Sequence, residues 1–477
     1  MNKIIPFILF IFCLSTIQAQ RNYKFENFGN RSILLNGNVT GSVDDLGATY
    51  YNPARLALVK DPVFSLNAKM FQLSNLKIDN ILIEGQDLKE SQFDGLPSMI
   101  AGTFKLKFLE GHQFAYSIIS RNRTKISIGY NTGLIIDEII DDFPKIDKYV
   151  GEILLNNNLR ENWFGISWAK SLSENFSIGA SLFYSDYKFD GSNIQKFSTL
   201  DVNEQVALYN NSVSFRQKSY GLFGKIAAAW VYSNINFGVN IDLPYVEIVS
   251  DGSFKYEEYL TGSPLDDDIF TFNDFDNINA KRKYPLGISV GAGIPYKKHT
   301  IHANLSWNAP VSRYSKLEIP PLVSETEDDL PVIYFDEALK STFNFGIGAE
   351  VFVSEKINAF GSFSTDFSPY EESASVFDAI NQSSENINFK TDYFHYGAGI
   401  NVAHKWANFI FGAVYSNGNS EIIKPLDNPL KPDIDVSLDL ETAKIHIDRW
   451  RFLIGVEILF MDKAFKKYNI DPKIIIP

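Results

Sequence analysis

From Asn234 to Tyr245 the chain changes chemistry at every residue. Ile235, Phe237, Val239, Ile241, Leu243 and Tyr245 are apolar, and Asn234, Asn236, Gly238, Asn240 and Asp242 between them are not. Side chains alternate across a β-strand but recur every ~3.6 residues on a helix, so this spacing makes a strand with one apolar face. The pattern returns at Leu286–Ile294, at Ile301–Trp307 and at Trp450–Phe460. The chain reads as all-β.

A soluble sandwich would alternate in the same way, with its apolar face inward. The connections decide between the two. Short turns fall near 109–111, 172–174, 233–234, 296–298, 354–356 and 404–406. Between them lie long polar loops at about 73–96, 131–160, 190–212, 250–282, 315–338, 369–390 and 419–442. Short turns at one end and long loops at the other are the build of an outer-membrane barrel. Joined in order, these turns and loops connect fourteen antiparallel strands, provided that His112 to Tyr130 is one strand with no turn at Asn122. Both chain ends then lie on the short-turn, periplasmic side.

Composition agrees with this reading. Aromatic residues make up 14% of the chain, with 39 Phe and 23 Tyr. No segment holds the run of about 18 apolar residues that marks a spanning helix. The net charge of −13 disfavours a nucleic-acid partner. At the N-terminus, Lys3 precedes an apolar run from Ile4 to Thr16, followed by Ile17-Gln18-Ala19. That is a secretory signal peptide over 1–19, cut near Gln20. The only cysteine, Cys13, lies inside it, which excludes disulfides and cysteine chemistry from the mature chain. The expected organisation is a small segment at 20–60, a barrel over 61–460 and a periplasmic tail at 461–477.

The segment GSVDDLGATYYNPARLAL, Gly41 to Leu58, breaks the pattern. It is too polar for a buried strand and too irregular for a long helix. A small-residue run over Gly37–Ser42, the step Asp44-Asp45-Leu46-Gly47-Ala48, and Tyr50-Tyr51-Asn52-Pro53-Ala54 together resemble the FadL family of outer-membrane transport proteins. Arg55 and Leu56 depart from the small pair that often follows Asn-Pro-Ala, and the tail from Met461 departs from barrels that end on an aromatic residue. Both mark a divergent member.

The resemblance implies a 14-stranded transmembrane β-barrel plugged by an N-terminal hatch, with Asp44, Asp45, Asn52, Pro53 and Ala54 as the hatch motif. Asn-Pro favours an extended or turn geometry at Asn52, and Pro53 removes a donor that a plug would have to pair. The implied activity is passive uptake of hydrophobic small molecules, long-chain fatty acids or aromatic compounds, across the outer membrane of a Gram-negative bacterium. It needs no enzyme chemistry, cofactor or metal. The alternative is a non-transport barrel, either structural or a shuttle in a protein-secretion system. Expected partners are outer-membrane lipid or lipopolysaccharide and a hydrophobic ligand, with a protein at the periplasmic or outer face as a further option.

On His112–Tyr130, parity puts Ala115, Ser117, Ile119, Arg121, Arg123 and Lys125 on one face. With the other face toward lipid, three cations enter the lumen. They either hold a carboxylate head group, which arginine grips bidentately, or latch onto Asp44 and Asp45. Ser120, Asn122 and Thr124 share the lipid side with Phe114, Tyr116 and Ile118. They mark either a kink and lateral opening, which the resemblance suggests here, or a strand risen above the bilayer.

Parity also directs Asp242, His302, Glu350, His395, Arg451 and Glu457 inward. No HExxH and no glycine-rich phosphate loop occurs. Acidic stretches at Asp266–Asp268 and near Glu325–Asp329 match no calcium loop, and are either solvated charges or a means of gathering ions that bridge lipopolysaccharide. Within the second long loop, Asp137–Leu155 carries a helical apolar spacing that Pro144 would split into two short helices.

Overall fold

The computed structural model describes residues 22–24, 26–58, 64–79, 87–106, 108–131, 133–136, 146–201, 204–262, 267–326, 333–370, 391–404, 406–423 and 442–458. The signal-peptide region, the tail beyond 458 and most of the loops at 369–390 and 419–442 lie outside the described residues.

Short helices open the described chain: α1 (Arg31–Leu34), α2 (Ala48–Tyr51) and a 3-10 turn at Pro53–Leu58. Strands follow. They are β1 (Phe64–Ile78), β2 (Leu88–Phe104), β3 (His112–Asn131), β4 (Ile135–Ile136), β5 (Ile146–Ser173), β6 (Phe176–Asp201) and β7 (Val206–Tyr232). Next come β8 (Ile235–Asp242), β9 (Val246–Thr261), β10 (Ile269–Ile278), β11 (Gly287–Tyr296), β12 (His299–Asn308), β13 (Val311–Leu317) and β14 (Phe335–Leu339). The last are β15 (Thr342–Ser354), β16 (Ile357–Asp366), β17 (Asp392–Ala403), β18 (Ala407–Ile423) and β19 (Thr442–Ile458).

All except β13 and β14 belong to one sheet, which closes when β1 pairs with β19 from Phe64↔Ile458 to Ile78↔Ile445. Some neighbours are halves of one strand. β4 extends the β3 ladder along β5. β8 and β9 share the β7 edge and break at Leu243–Tyr245, where Pro244 has no N–H to offer. β10 and β11 break at 279–286. Counted this way, the barrel has fourteen antiparallel strands, and β3 passes Asn122 without a turn. β7 and β8 join through Ser233 and Asn234, both with positive φ (48° and 65°), as a two-residue I′ hairpin requires.

Burial inverts the soluble pattern. Ile166, Leu182 and Ile347 sit mid-strand yet are 62%, 55% and 58% exposed. Their neighbours Ser167 and Ser181 are buried and share a hydrogen bond at 2.7 Å. Apolar side chains outward and small polar ones inward make a wall for lipid. A tilted strand crosses the membrane in ~9–11 residues, but β5, β6 and β7 run to 28, 26 and 27 residues. They therefore stand far out of the bilayer at the long-loop end.

That extension corrects the helical expectation for Asp137–Leu155. Residues 137–145 lie outside the described residues, but Ile146 onward is β5. Tyr149 to Leu155 pair with Thr199 to Asn193 of β6. Pairing along that edge satisfies the backbone, so the helical spacing of the apolar residues does not set the structure.

Candidate functional site

The hatch seats in the lumen because the wall there has no side chains to hold it off. A Cβ added at Gly179 would stand 2.5 Å from the Ala54 nitrogen, and one at Gly238 would stand 2.2 Å from the Thr40 carbonyl oxygen. Asn-Pro-Ala lies against this bare backbone. The fully buried Asn52 amide donates to the Thr40 carbonyl (2.7 Å) and, across the gap, to the Ala228 carbonyl of β7 (3.2 Å). Its oxygen accepts the Ala54 N–H at 3.1 Å, and Asn52 itself is extended (φ −163°). Arg55 donates to the Val43 carbonyl and to Asn236 of β8, both at 3.1 Å.

The two hatch acids have different tasks. Asp45 accepts the Ser32 N–H (2.9 Å), the Ser32 hydroxyl (2.8 Å) and the Gly47 N–H (2.9 Å), which ties α1 to the turn before α2. Burial pushes its carboxyl above the ordinary range, against the pull of the Ser32 donors. Asp44 pairs with Arg31, which also pairs with Glu350 of β15. The latch between these acids and the β3 cations is thus replaced by contacts through Arg31. Glu26 pairs with Arg449 and Arg451 of β19 at 3.4 and 3.5 Å.

β3 departs from the parity reading at one residue. Its pairing with β5 runs Ser120↔Asn162 and then Asn122↔Glu161, leaving Arg121 as a bulge. One extra residue reverses the side of everything beyond it. Arg121 stays in the lumen, buried, with its guanidinium 5.6 Å from the Tyr50 ring and 5.5 Å from Trp163. It donates to the Tyr23 carbonyl (3.4 Å) and the Tyr284 hydroxyl (3.5 Å). Arg123 and Lys125 are corrected: they are exposed on the outer face, opposite Arg160 and Asn158.

The wall changes at the same height. β2 pairs with β3 only over Met99–Phe104 against Ile119–Phe114. Beyond that point, among the described residues, β2 pairs with β1 alone and β3 with β5 alone. The Ser98 hydroxyl just past the end of the shared ladder, and that of Ser117 within it, are buried without a hydrogen-bond partner among the described residues. The seam therefore opens at the height of the Arg121 bulge.

Among the described residues, the lumen holds two large apolar clusters. One packs Tyr50 of the hatch against Trp163, Phe183 and Phe223 of the wall. The other lies toward the long loops, where Phe189, Phe215 and Phe254 meet Leu317 and Phe335 of the β13–β14 hairpin. Between them Arg282, carried inward by the break at 279–286, pairs with Glu161 at 2.9 Å. A cavity beside the hatch is lined by polar residues such as Lys24, Lys225 and Asn240 together with Tyr50, Tyr51 and Tyr284. Burial lowers the Lys24 amine to about 8.

The other residues directed inward by parity do line the lumen. Asp242 pairs with Lys225 (2.6 Å), His302 shares a hydrogen bond with Ser42 (2.7 Å), and His395 one with Ser416 (2.6 Å). Glu457 is buried. The partners Glu26, Arg282 and Glu161 were missed. Parity directed Arg451 inward, but nothing in the sequence marks Glu26 as a counter-ion for it and Arg449.

No family model and no curated protein matches the sequence. Solved structures do. A FadL homologue from Pseudomonas aeruginosa is 11% identical, covering 92% of this chain and 100% of its own, with a TM-score of 0.55. The Pseudomonas putida toluene transporter TodX is 11% identical over 91% of this chain and 99% of its own, at 0.54. The CymD monoaromatic hydrocarbon channel is 9% identical over 91% and 98%, at 0.52. The chain has the fold of the FadL and TodX channels.

Proposed function

We propose that the protein is an outer-membrane channel for passive uptake of a hydrophobic small molecule, with the long loops outside the cell and the hatch end in the periplasm. The observation that carries this reading is the interrupted β2–β3 seam beside Arg121, in a lumen otherwise closed by the hatch and two apolar clusters. An apolar solute enters among the outer loops, reaches the aromatic cluster and leaves sideways through the seam. Arg121 faces that exit and suits a carboxylate if the cargo carries one. The fold of channels described as transporting toluene and other monoaromatic hydrocarbons supports the same class of cargo.

The test uses the absence of cysteine from the sequence beyond Cys13. Ser98→Cys with Ser120→Cys would add one cross-linked pair to the ladder just beyond Met99↔Ile119. In cells lacking their own fatty-acid channel, uptake of a labelled long-chain fatty acid and of labelled toluene is measured with the pair oxidised and reduced. The expected result is loss of uptake on oxidation and recovery with reductant. Unchanged uptake when oxidised excludes the lateral exit. No uptake of either compound by a folded, reduced barrel rejects hydrophobic uptake for these cargoes.

A further inference from the structure

The bulge that removes Arg123 from the lumen places it in a row. Arg123 lies directly opposite Arg160 of β5, Arg160 opposite Lys188 of β6, and Lys188 opposite Lys218 of β7. The residues flanking this row on those strands, Glu161, Tyr187, Phe189, Gln217 and Ser219, are buried in the lumen, so the row faces outward. Arg123 and Arg160 are exposed, and Lys188 and Lys218 are half-buried. Neighbouring strands are about 4.8 Å apart, so four cations lie within ~14 Å along the hydrogen-bonding direction.

Like charges directly opposite one another on a sheet are destabilising. Anions nearby relieve only part of this row. Lys218 pairs with Asp251 at 3.4 Å, and Asp190, just above, pairs with Arg216 at 2.8 Å. Asp186 lies two residues below Lys188 on the same outer face. At the centre of the row, Arg160 and Lys188 make no ion pair among the described residues.

Height identifies what covers it. Four residues below Arg160 on β5, and four below Lys188 on β6, are the exposed Phe164 and Tyr184. Tyr184 stacks with Tyr220, two residues below Lys218, at 6.4 Å. Aromatic rings at the end of an apolar band mark the membrane–water boundary. Four residues of a tilted strand rise about 10 Å, which brings the row to the head groups.

We infer that the row Arg123–Arg160–Lys188–Lys218 is a binding site for the phosphate groups of the outer-leaflet glycolipid. Arginine grips phosphate bidentately and lysine adds point charge, so phosphates bridging the row would offset its repulsion. The inference rests on the orientation proposed above, with the long loops outside the cell.

The test uses the full barrel purified in detergent and titrated by native mass spectrometry. The probes are a bis-phosphorylated glucosamine-disaccharide lipid, its dephosphorylated form and inorganic phosphate. The double variant Arg160→Gln, Lys188→Gln should bind the phosphorylated lipid about tenfold more weakly. A charge-matched control elsewhere on the outer face, Lys196→Gln with Lys255→Gln, should stay within about twofold. The dephosphorylated lipid should bind wild type as weakly as the phosphorylated lipid binds the double variant.

Equal binding by wild type and double variant overturns the inference, and so does equal binding of the dephosphorylated lipid. Competition by inorganic phosphate at the lipid's own concentration would make this a free-phosphate site and also overturn it. Solute uptake is read separately in cells. Lost lipid contact with normal uptake leaves both readings standing. Failed uptake with normal lipid binding rejects transport alone.

Discussion

Single residues decide how closely the hatch can seat. Asn52 closes three hydrogen bonds from a fully buried position, but they form only because Gly179 and Gly238 let backbone approach backbone. Gly179→Ala puts a methyl group into the Pro53–Ala54 peptide, and a strand backbone held by two neighbours cannot retreat. The barrel is expected to insert normally. Amide hydrogen exchange of the hatch over 40–58 is expected to rise about tenfold or more, the signature of a seat weakened by at least ~1.4 kcal/mol. Gly361→Ala is the control, since a Cβ there meets nothing within 4 Å. Unchanged protection in Gly179→Ala would mean that the hatch is held by its side-chain contacts and not by close backbone approach.

Elements carry the difference between what the sequence tells and what it hides. Strand number was legible because parity and loop length repeat from hairpin to hairpin, with the reading of Asn122 as the one point on which the count turned. Local irregularity was not. A bulge adds one residue without a composition of its own, and Arg121 looks like Arg123 and Lys125 until the β5 partner is known. The inward break at 279–286 was hidden for a related reason: Arg282, which enters the lumen, fell at the end of the stretch read as loop over 250–282. The loop reading over 315–338 also took in the end of β13 and most of β14. The β13–β14 hairpin is separate from the barrel sheet, and its Phe335 ring lies 4.6 Å from Phe215 of the wall. Phe335→Ala is expected to cost about 3–5 kcal/mol of local packing. The loss should appear as faster exchange of 311–317 and 335–339, with β15 and β16 unchanged. Faster exchange spread through β15 would show that the hairpin is part of the barrel's cooperative unit.

Across the whole molecule, barrel and hatch are held by different forces. In lipid the barrel has no other way to satisfy its backbone, and β1 pairs with β19 from Phe64↔Ile458 to Ile78↔Ile445, which closes the sheet on itself. The hatch is held by hydrogen bonds, aromatic contacts and buried ion pairs, and urea solvates the peptide and apolar groups on which such contacts depend. In a planar bilayer, rising urea is therefore expected to raise the conductance reversibly while the barrel remains inserted. Glu26 is the sharpest probe of this separation, because it serves both Arg449 and Arg451. Glu26→Gln leaves those two buried cations without its carboxylate. Breaking one side of a buried ion pair costs about 3–5 kcal/mol. A urea dependence of roughly 1–3 kcal/mol per molar then moves the opening threshold down by at least about 1 M. Wild type and Glu26→Gln should reach the same final conductance, since both end with the same empty barrel. A threshold that does not move would show that Glu26 does not hold the hatch. A current that appears only with irreversible loss of the channel would show that hatch and barrel unfold as one.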